Sequence, residues 1–250
     1  MENLGIKKYA TFILCLFIAM MSQQCRKENL CDCIKRTGDV ITERREVGTF
    51  TGVYATDNIN VVLVPDSTDY IDVEAGEHLI SLIKTEVVGN ELQIRNNNRC
   101  NFTRSYDIAI NVYIHMHERN LRSVTNEGVK SFTCTDTIHT DSLYVEILSS
   151  GNVDLITSSH RIDFHQQGAG DFTLHGRCDD LILYMLGAGY VTTDEIINNY
   201  TWVCTRGTGR VTCAPTNAFT AYVEGYGSVY YRNSPVMELH VLGPGGVFPL

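Results

Sequence analysis

Six short glycine-containing segments recur through the second half of this 250-residue chain. Each has the form G-x-G-x-[V/F], as in QGAGDF and RGTGRV, except that serine replaces the first glycine in the earliest segment. Repeats of 18 to 20 residues are typical of a solenoid, in which each coil buries its apolar face by stacking on its neighbours. The second glycines, which we interpret as corner residues, are Gly151, Gly170, Gly189, Gly209, Gly227 and Gly245.

Apolar residues keep a fixed phase around these glycines. Positions six and eight residues before each glycine are apolar, with the single exception of Thr201. Alternation with period two on both sides of a corner predicts a strand, a turn and a second strand with one inward face. Two residues after the glycines stand Val153, Phe172, Val191, Val211, Val229 and Val247.

Glycine at the corners has two expected causes. Coils stacked about 4.8 Å apart leave little room for a Cβ, and a positive φ is cheap only for glycine. Asp171 alone matches a calcium-binding repeat, so no ladder of carboxylates is available to hold a row of calcium ions. The equivalent residues are Asn152, Tyr190, Arg210, Ser228 and Gly246.

The first 24 residues have the pattern of an export signal. Lys7 and Lys8 precede an apolar run, Tyr9–Met21, that is too short to span a bilayer. Cys25 stands where a bacterial lipoprotein is cleaved and acylated, which predicts a lipid-anchored protein of the cell envelope, in the outer membrane. The alternative is a plain secretory signal that is cut nearby. The formal charge of −9 argues against a nucleic-acid partner.

Residues 25–45 are predicted to be an N-terminal tether, and residues 46–250 a single β-solenoid domain. The pattern is less regular over 46–118, which we expect to start and cap the stack, and regular over 119–250. Cys33 and Cys100 are the candidates for a disulfide that joins the start of the fold to a loop. Sequence alone does not determine the pairing.

Several segments resemble the DUF2807 family, also called the auto-transporter adhesin, head GIN domain family. They are CIKRTGD at 33–39, FTGVYATDNINVVLV at 50–64, IDVEAG at 71–76 and IKTEV at 83–87, followed by the glycine coils. The resemblance covers roughly residues 33–250. It implies an all-β, right-handed parallel β-helix-like fold on exported, often lipid-anchored proteins of Bacteroidetes, and it supplies no catalytic residues.

The outward positions five residues before each corner glycine carry aromatic and polar side chains. Stacking should align them with Trp202 into an outward row suited to a glycan ring or a protein surface. The alternative is that these rings only cover neighbouring rungs. We call this candidate partner-binding row the outer strip: His165, Tyr184, Trp202, Tyr222 and His240.

Signals for chemistry are weak. His115 and His117 share a face of a strand, but no third ligand is identifiable, so no metal site and no cofactor are predicted. A polysaccharide-cleaving β-helix needs acids clustered on adjacent rungs. The outward acids Asp154, Asp163 and Asp171 do not recur in phase, so they do not have this pattern. The sequence therefore predicts a non-catalytic envelope protein, adhesin-like or a scaffold, that presents a face to a protein or glycan partner. The alternatives are a polysaccharide-active enzyme and a purely structural component.

Overall fold

The protein is described by a computed structural model over residues 36–99 and 108–250, and it is almost entirely β. Two short 3-10 helices, Ile80–Leu82 and Glu118–Asn120, lie between strands. The strands are β1 (Val40–Glu46), β2 (Gly52–Ala55), β3 (Asn60–Pro65), β4 (Tyr70–Gly76), β5 (Ile83–Val88), β6 (Glu91–Asn96), β7 (Asn111–Met116), β8 (Ser123–Asn126), β9 (Phe132–Cys134), β10 (Ile138–His139), β11 (Ser142–Ile147), β12 (Val153–Gln166), β13 (Phe172–Met185), β14 (Val191–Thr205), β15 (Arg210–Val223), β16 (Ser228–Tyr231), β17 (Val236–Val241) and β18 (Val247–Pro249).

From β11 onward the chain forms the solenoid that the glycine period predicts. Strands β12 to β15 are 14 or 15 residues long, and each runs parallel to the next. Equivalent residues pair from coil to coil, as Val153 does with Phe172 and Phe172 with Val191. The predicted fold class is confirmed, with a solenoid of about seven turns.

Each long coil turns one of its two corners without a glycine segment. The first half of β12 pairs with β9 and its second half with β11, so a single strand crosses from one sheet face to the other. Alternation of buried and exposed residues pauses over 158–161, where the strand bends. This corner could not be predicted from the glycine pattern, because a continuous strand forms it.

Two long sheet faces result from this arrangement. The first sheet runs in the order β5, β6, β2, β8, β11, then the second halves of β12 to β15, and finally β17. The second sheet runs β1, β4, β7, β3, β9, then the first halves of β12 to β15, then β16 and β18. Outward residues of each sheet therefore form columns along the stack.

The irregular N-terminal part closes one end of the solenoid. The coil made by β2 and β3 lies between the coil β8–β9 on one side and the coil β6–β7 on the other. Antiparallel strands β5, β4 and β1 then complete this end. Because β1 pairs with β4 over Val40–Glu46, residues 40–45 belong to the body rather than to the predicted tether.

The inward positions that the repeat predicts form a continuous core. Val153, Phe172 and Val191 are at most 1% exposed, and the rings of Phe164 and Phe172 stack with their centroids 4.0 Å apart. The last coil differs, since Met237 and Leu239 are more than 40% exposed in the same phase. No further coil of the described residues lies over them.

The corner glycines stack in a column. A Cβ on Gly170 would meet the carbonyl oxygen of Gly151, and a Cβ on Gly189 would meet that of Gly170. Gly128 continues the column, because its carbonyl oxygen accepts a 3.0 Å hydrogen bond from the amide of Gly151. The same collision recurs further along for Gly209 on Gly189, Gly227 on Gly209 and Gly245 on Gly227.

The expectation that these corners need a positive φ was wrong. The positive-φ glycines of the described residues are Gly38, Gly89 and Gly176, none of which is a predicted corner. Gly89 lies in the hairpin between β5 and β6, and Gly176 lies in the bend of β13. Close stacking of backbones, rather than unusual dihedral angles, therefore explains the repeated glycines.

Candidate interaction face

The outer strip lies on the first sheet, in the alignment that the repeat suggests. Four strip residues belong to one column, the main column, which Glu146 and Cys204 complete. Each residue of this column pairs in register with the next, in the order Glu146, His165, Tyr184, Cys204, Tyr222 and His240. Five gaps of about 4.8 Å make this column about 24 Å long. Trp202 lies in the adjacent column, paired with Ile182 and Thr220.

The rings of the outer strip contact one another along the column. Tyr222 and His240 stack with centroids 4.5 Å apart and an interplanar angle of 10°. His165 and Tyr184 lie 5.4 Å apart, and Trp202 and Tyr222 lie 5.9 Å apart, both tilted. All five side chains are half-buried. Since each ring is half-buried among its neighbours, the strip presents only part of its apolar ring area and its polar tips to solvent.

Cys204 breaks the pattern of the column. Its register places it outward between Tyr184 and Tyr222, yet it is only 4% exposed. Burial raises the pKa of its thiol above the ordinary value. Sequence phase could not reveal this, because the small side chain is covered by larger neighbours on the same face. Cys204 therefore acts as a spacer rather than a contact residue.

Charged groups hold parts of the outer strip in place. The Arg206 guanidinium donates to the Tyr184 hydroxyl at 2.8 Å and to a carboxylate oxygen of Glu224 at 2.6 Å. His240 Nε2 lies 3.0 Å from a carboxylate oxygen of Glu238. These contacts fix the polar ends of two strip residues before any partner arrives. Sequence reasoning missed Arg206, which lies in a glycine turn outside the strand phase.

Other polar groups of the outer strip are available. Among the described residues, neither the indole N–H of Trp202 nor the hydroxyl of Tyr222 has a hydrogen-bond partner. Half-buried Tyr and Trp side chains with unpaired polar tips suit an interface, because the ring packs against apolar groups of a partner while the O–H or N–H group donates a hydrogen bond to it. The centre of the strip thus combines apolar area with open donors.

A second polar cluster lies on the other sheet around His115. Its ring stacks on Tyr70 at 4.0 Å, and its Nδ1 lies 3.1 Å from a carboxylate oxygen of Asp66. The Arg44 guanidinium donates two hydrogen bonds to Asp72, which lowers the pKa of that carboxyl group. The backbone amide of Ser67, followed by His115, lowers the pKa of Asp66.

His115 and His117 do point outward, while Val112, Ile114 and Met116 point into the core. The ring of His117 faces Asp69 at 3.4 Å. Within the described ranges, no group of three or more His, Cys, Asp or Glu side chains could hold a metal ion. Each histidine is thus part of a separate ion-pair contact.

The three outward acids each have a structural contact. Asp163 accepts two hydrogen bonds from Arg161, and Asp171 accepts the backbone amide of Tyr190 at 2.7 Å. Asp154 lies 3.8 Å from the ring of His175. Asp171 thus ties one coil to the next. The aspartate that looked like a calcium ligand in sequence supports the glycine turn instead.

Two predicted cysteine roles lie outside the described residues: lipidation at Cys25 and the disulfide between Cys33 and Cys100. The described cysteines are free thiols, namely Cys134, Cys178, Cys204 and Cys213. In the part of the chain that the structure describes, no helix has the length and apolar character to cross a membrane.

Comparison with known proteins gives the following matches. A family model described as "DUF2807: Putative auto-transporter adhesin, head GIN domain" matches residues 49–235. A solved "putative adhesin" from Bacteroides fragilis superposes with a TM-score of 0.78 at 22% identity, over 86% of this chain and 100% of its own. A "putative adhesin" from Parabacteroides distasonis gives 0.70 at 13% identity, with the same coverage.

A further solved structure, a "putative lipid binding protein" from Parabacteroides distasonis, superposes with a TM-score of 0.66 at 17% identity, over 86% of this chain and 100% of its own. No curated protein matches the chain. At these identities the structural matches show a shared fold.

Proposed function

Since the chain belongs to the DUF2807 family, we propose that it is an exported, adhesin-like protein of the cell envelope, without catalytic activity, whose outer strip binds a partner. The solenoid serves as a rigid support for that strip. The carrying observation is the in-register column of half-buried rings on an open sheet face. Tyr and Trp are enriched at the energetic centres of protein interfaces.

The ring geometry favours a protein partner over a glycan. A sugar ring stacks on the open face of an aromatic side chain, whereas here Tyr222 and His240 cover each other face to face. The pairs His165–Tyr184 and Trp202–Tyr222 are tilted by 42° and 44°, so the row offers no continuous set of open ring faces. A row about 24 Å long suits the interface of a second protein, which needs roughly 800 Å² on each side.

Two groups carry the binding in this proposal. Trp202 lies beside the column, at the middle rung of the outer strip, and Tyr222 lies on the next rung within the column. Both offer donors that are unpaired among the described residues, beside apolar ring area. Truncation of such central residues typically costs more than about 1 kcal/mol, or several-fold to tenfold in affinity. Tyr184 contributes a ring whose hydroxyl Arg206 already holds.

Binding assays with the purified chain test the proposal. Envelope proteins of the source organism and a glycan array are the two probes, compared for the wild type and for Tyr184→Ala, Trp202→Ala and Tyr222→Ala. We expect a protein to bind the wild type and to bind each variant about tenfold more weakly. Tyr226→Ala is the matched control, because Tyr226 is 74% exposed in a glycine turn outside the strip.

Binding that ignores all three strip variants would refute the role of the outer strip. Binding to glycans alone, lost in the same variants, would keep the strip but replace the protein partner. The placement is tested separately: we propose acylation at Cys25 as the membrane anchor, and mass spectrometry of the mature N-terminus should show a lipid-modified cysteine. An unmodified mature N-terminus would rule out the anchor.

A further inference from the structure

In the part of the chain that the structure describes, the C-terminal coil leaves an apolar end uncovered. Met237, Leu239 and Val241 point in the same direction as the core residues of the previous coil but are 41–49% exposed. Their partners in register on β15 are fully buried at 0% exposure: Phe219, Ala221 and Val223. Leu242 and Phe248 add further exposed apolar area at the same end.

Among the described residues, the strands at this end also have unpaired edges. Strand β17 pairs with β15 on one side, and β18 pairs with β16 on one side. An exposed, apolar edge strand is a template for another strand. The side chains of residues 236–250 include no Lys or Arg and a single acidic group, that of Glu238.

The opposite end is built differently. There the first sheet ends in β5, with the sequence IKTEVV, and the second sheet ends in the exposed strand β1, with the sequence VITERRE, so both edges carry charged residues. Charged residues on an edge strand oppose the addition of a further strand. Head-to-tail stacking of copies is therefore disfavoured, because it would place the apolar end of one copy on the charged end of the next.

The sequence of β17 is complementary to itself. When β17 is set antiparallel to a second β17 with Leu239 opposite Leu239, Glu238 faces His240 of the second copy and Met237 faces Val241. Directly opposed residues of opposite charge, or of apolar type, stabilise an antiparallel pair. The same contacts occur twice, which is the property of a two-fold symmetric interface.

We infer that the C-terminal coil is a homodimer interface, in which β17 pairs antiparallel with β17 of a second copy about a two-fold axis at Leu239. The pairing covers the uncapped core residues and satisfies the free strand edge. It also extends the first sheet into a continuous face across two copies, with the outer strip on both halves. The inference stands whether or not the outer strip binds a partner.

Sedimentation equilibrium of the purified chain over about a hundredfold range of concentration is the first test. We expect a reversible dimer for the wild type and a monomer for Leu239→Lys, because two lysines would then face each other at the axis. Leu186→Lys is the matched control: Leu186 is 43% exposed, close to the 41% of Leu239, but lies in a glycine turn away from the end. Circular dichroism shows whether each variant is folded.

A monomeric wild type at all concentrations would overturn the inference, as would a dimer that Leu239→Lys leaves intact. A second experiment avoids substitutions that face the core. Glu238→Arg alone and His240→Glu alone should each weaken the dimer by about 2- to 30-fold, because two cross-strand pairs are disrupted in each.

When these two variants are mixed, a heterodimer should form more readily than either homodimer, because the introduced arginine then faces the introduced glutamate. Contacts within one copy cannot produce this rescue, since each variant retains its own substitution. An equal tendency to form all three species would overturn the proposed register.

Discussion

The carbonyl oxygen of Gly151 occupies the place where a side chain on Gly170 would begin. The nearest atoms to that position are backbone atoms of the neighbouring coil, which cannot move aside as a flexible side chain can. The same contact repeats at the next corner, where Gly189 lies on Gly170. The spacing of the coils thus depends on the absence of a Cβ at this point.

Replacement of a stacked glycine should therefore be costly. For Gly170→Ala we expect the free energy of unfolding to fall by at least about 2 kcal/mol, since overpacking a close-packed site costs about 1–3 kcal/mol even where side chains can adjust. Urea denaturation of the wild type and the variant measures the change.

Gly48→Ala is the control for this substitution. A Cβ there would have no atom within 4 Å, and the residue does not have a positive φ. We expect the free energy of unfolding to change by no more than about 0.5 kcal/mol, or to rise slightly because alanine lowers the conformational entropy of the unfolded chain. Equal losses in the two variants would show that close stacking is not the reason for glycine at the corner.

The regular coils could be predicted from sequence because one physical pattern repeats in them. Val153 and Phe172 share a phase relative to their glycines, and that phase places both in the core. The outward column could be predicted for the same reason, since Tyr184 and Tyr222 hold the same phase. Their half-burial could not be predicted, because it depends on the sizes of neighbours in other coils.

The N-terminal order could not be predicted because contacts there do not follow the order of the chain. Strand β2 pairs with both β6 and β8, so two later segments lie on opposite sides of an earlier one. The contacts of His115 show the same limit, since Asp66 lies 49 residues earlier in the sequence. A periodic pattern reports only on neighbours that the period itself brings together.

The buried thiols should be unreactive in the native protein. Burial raises the pKa of Cys178 and of Cys213 to about 12, and both lie in the core. Since the thiolate is the reactive form, we expect neither to react with a thiol reagent at neutral pH until the chain unfolds. Mass spectrometry of labelled peptides measures this directly.

Ile197→Cys supplies the positive control for labelling, because Ile197 is 72% exposed on the surface. That introduced cysteine should be labelled within minutes while Cys178 and Cys213 remain unmodified. Rapid native-state labelling of Cys213 would contradict the packing of β15 against the core.

The contact between His160 and Asp179 should make stability depend on pH near neutrality. His160 Nδ1 lies 2.7 Å from a carboxylate oxygen of Asp179, and that hydrogen bond raises the pKa of His160. A raised pKa means that the charged form is stabilised by folding. The stabilisation is complete below the unfolded pKa of about 6.5 and is lost as the pH rises through the folded value.

We therefore expect the difference in unfolding free energy between the wild type and His160→Gln to shrink as the pH rises from about 6 to 9. Both groups are exposed, so the effect should be small and should weaken in high salt. His139→Gln is the control, because His139 is an exposed residue of β10 and has no ion pair among the described residues. A difference that grows with pH would contradict the pairing.

The ion pair between Arg44 and Asp72 should act at the other end of the pH range. Asp72 accepts two hydrogen bonds from Arg44, at 2.9 and 2.8 Å, and these lower the pKa of Asp72. A lowered pKa gives stability that is present above the unfolded value of about 3.9 and is lost as the pH falls through the folded value.

Asp72→Asn removes this contribution, so its unfolding free energy should fall less steeply than that of the wild type below about pH 4. Urea denaturation at a series of pH values compares the two slopes. Glu127→Gln is the control, because Glu127 is exposed and has no ion pair among the described residues. It should follow the wild-type slope. If Asp72→Asn also follows it, the pair with Arg44 does not hold strand β1 against β4 through charge, and backbone pairing alone closes that end of the solenoid.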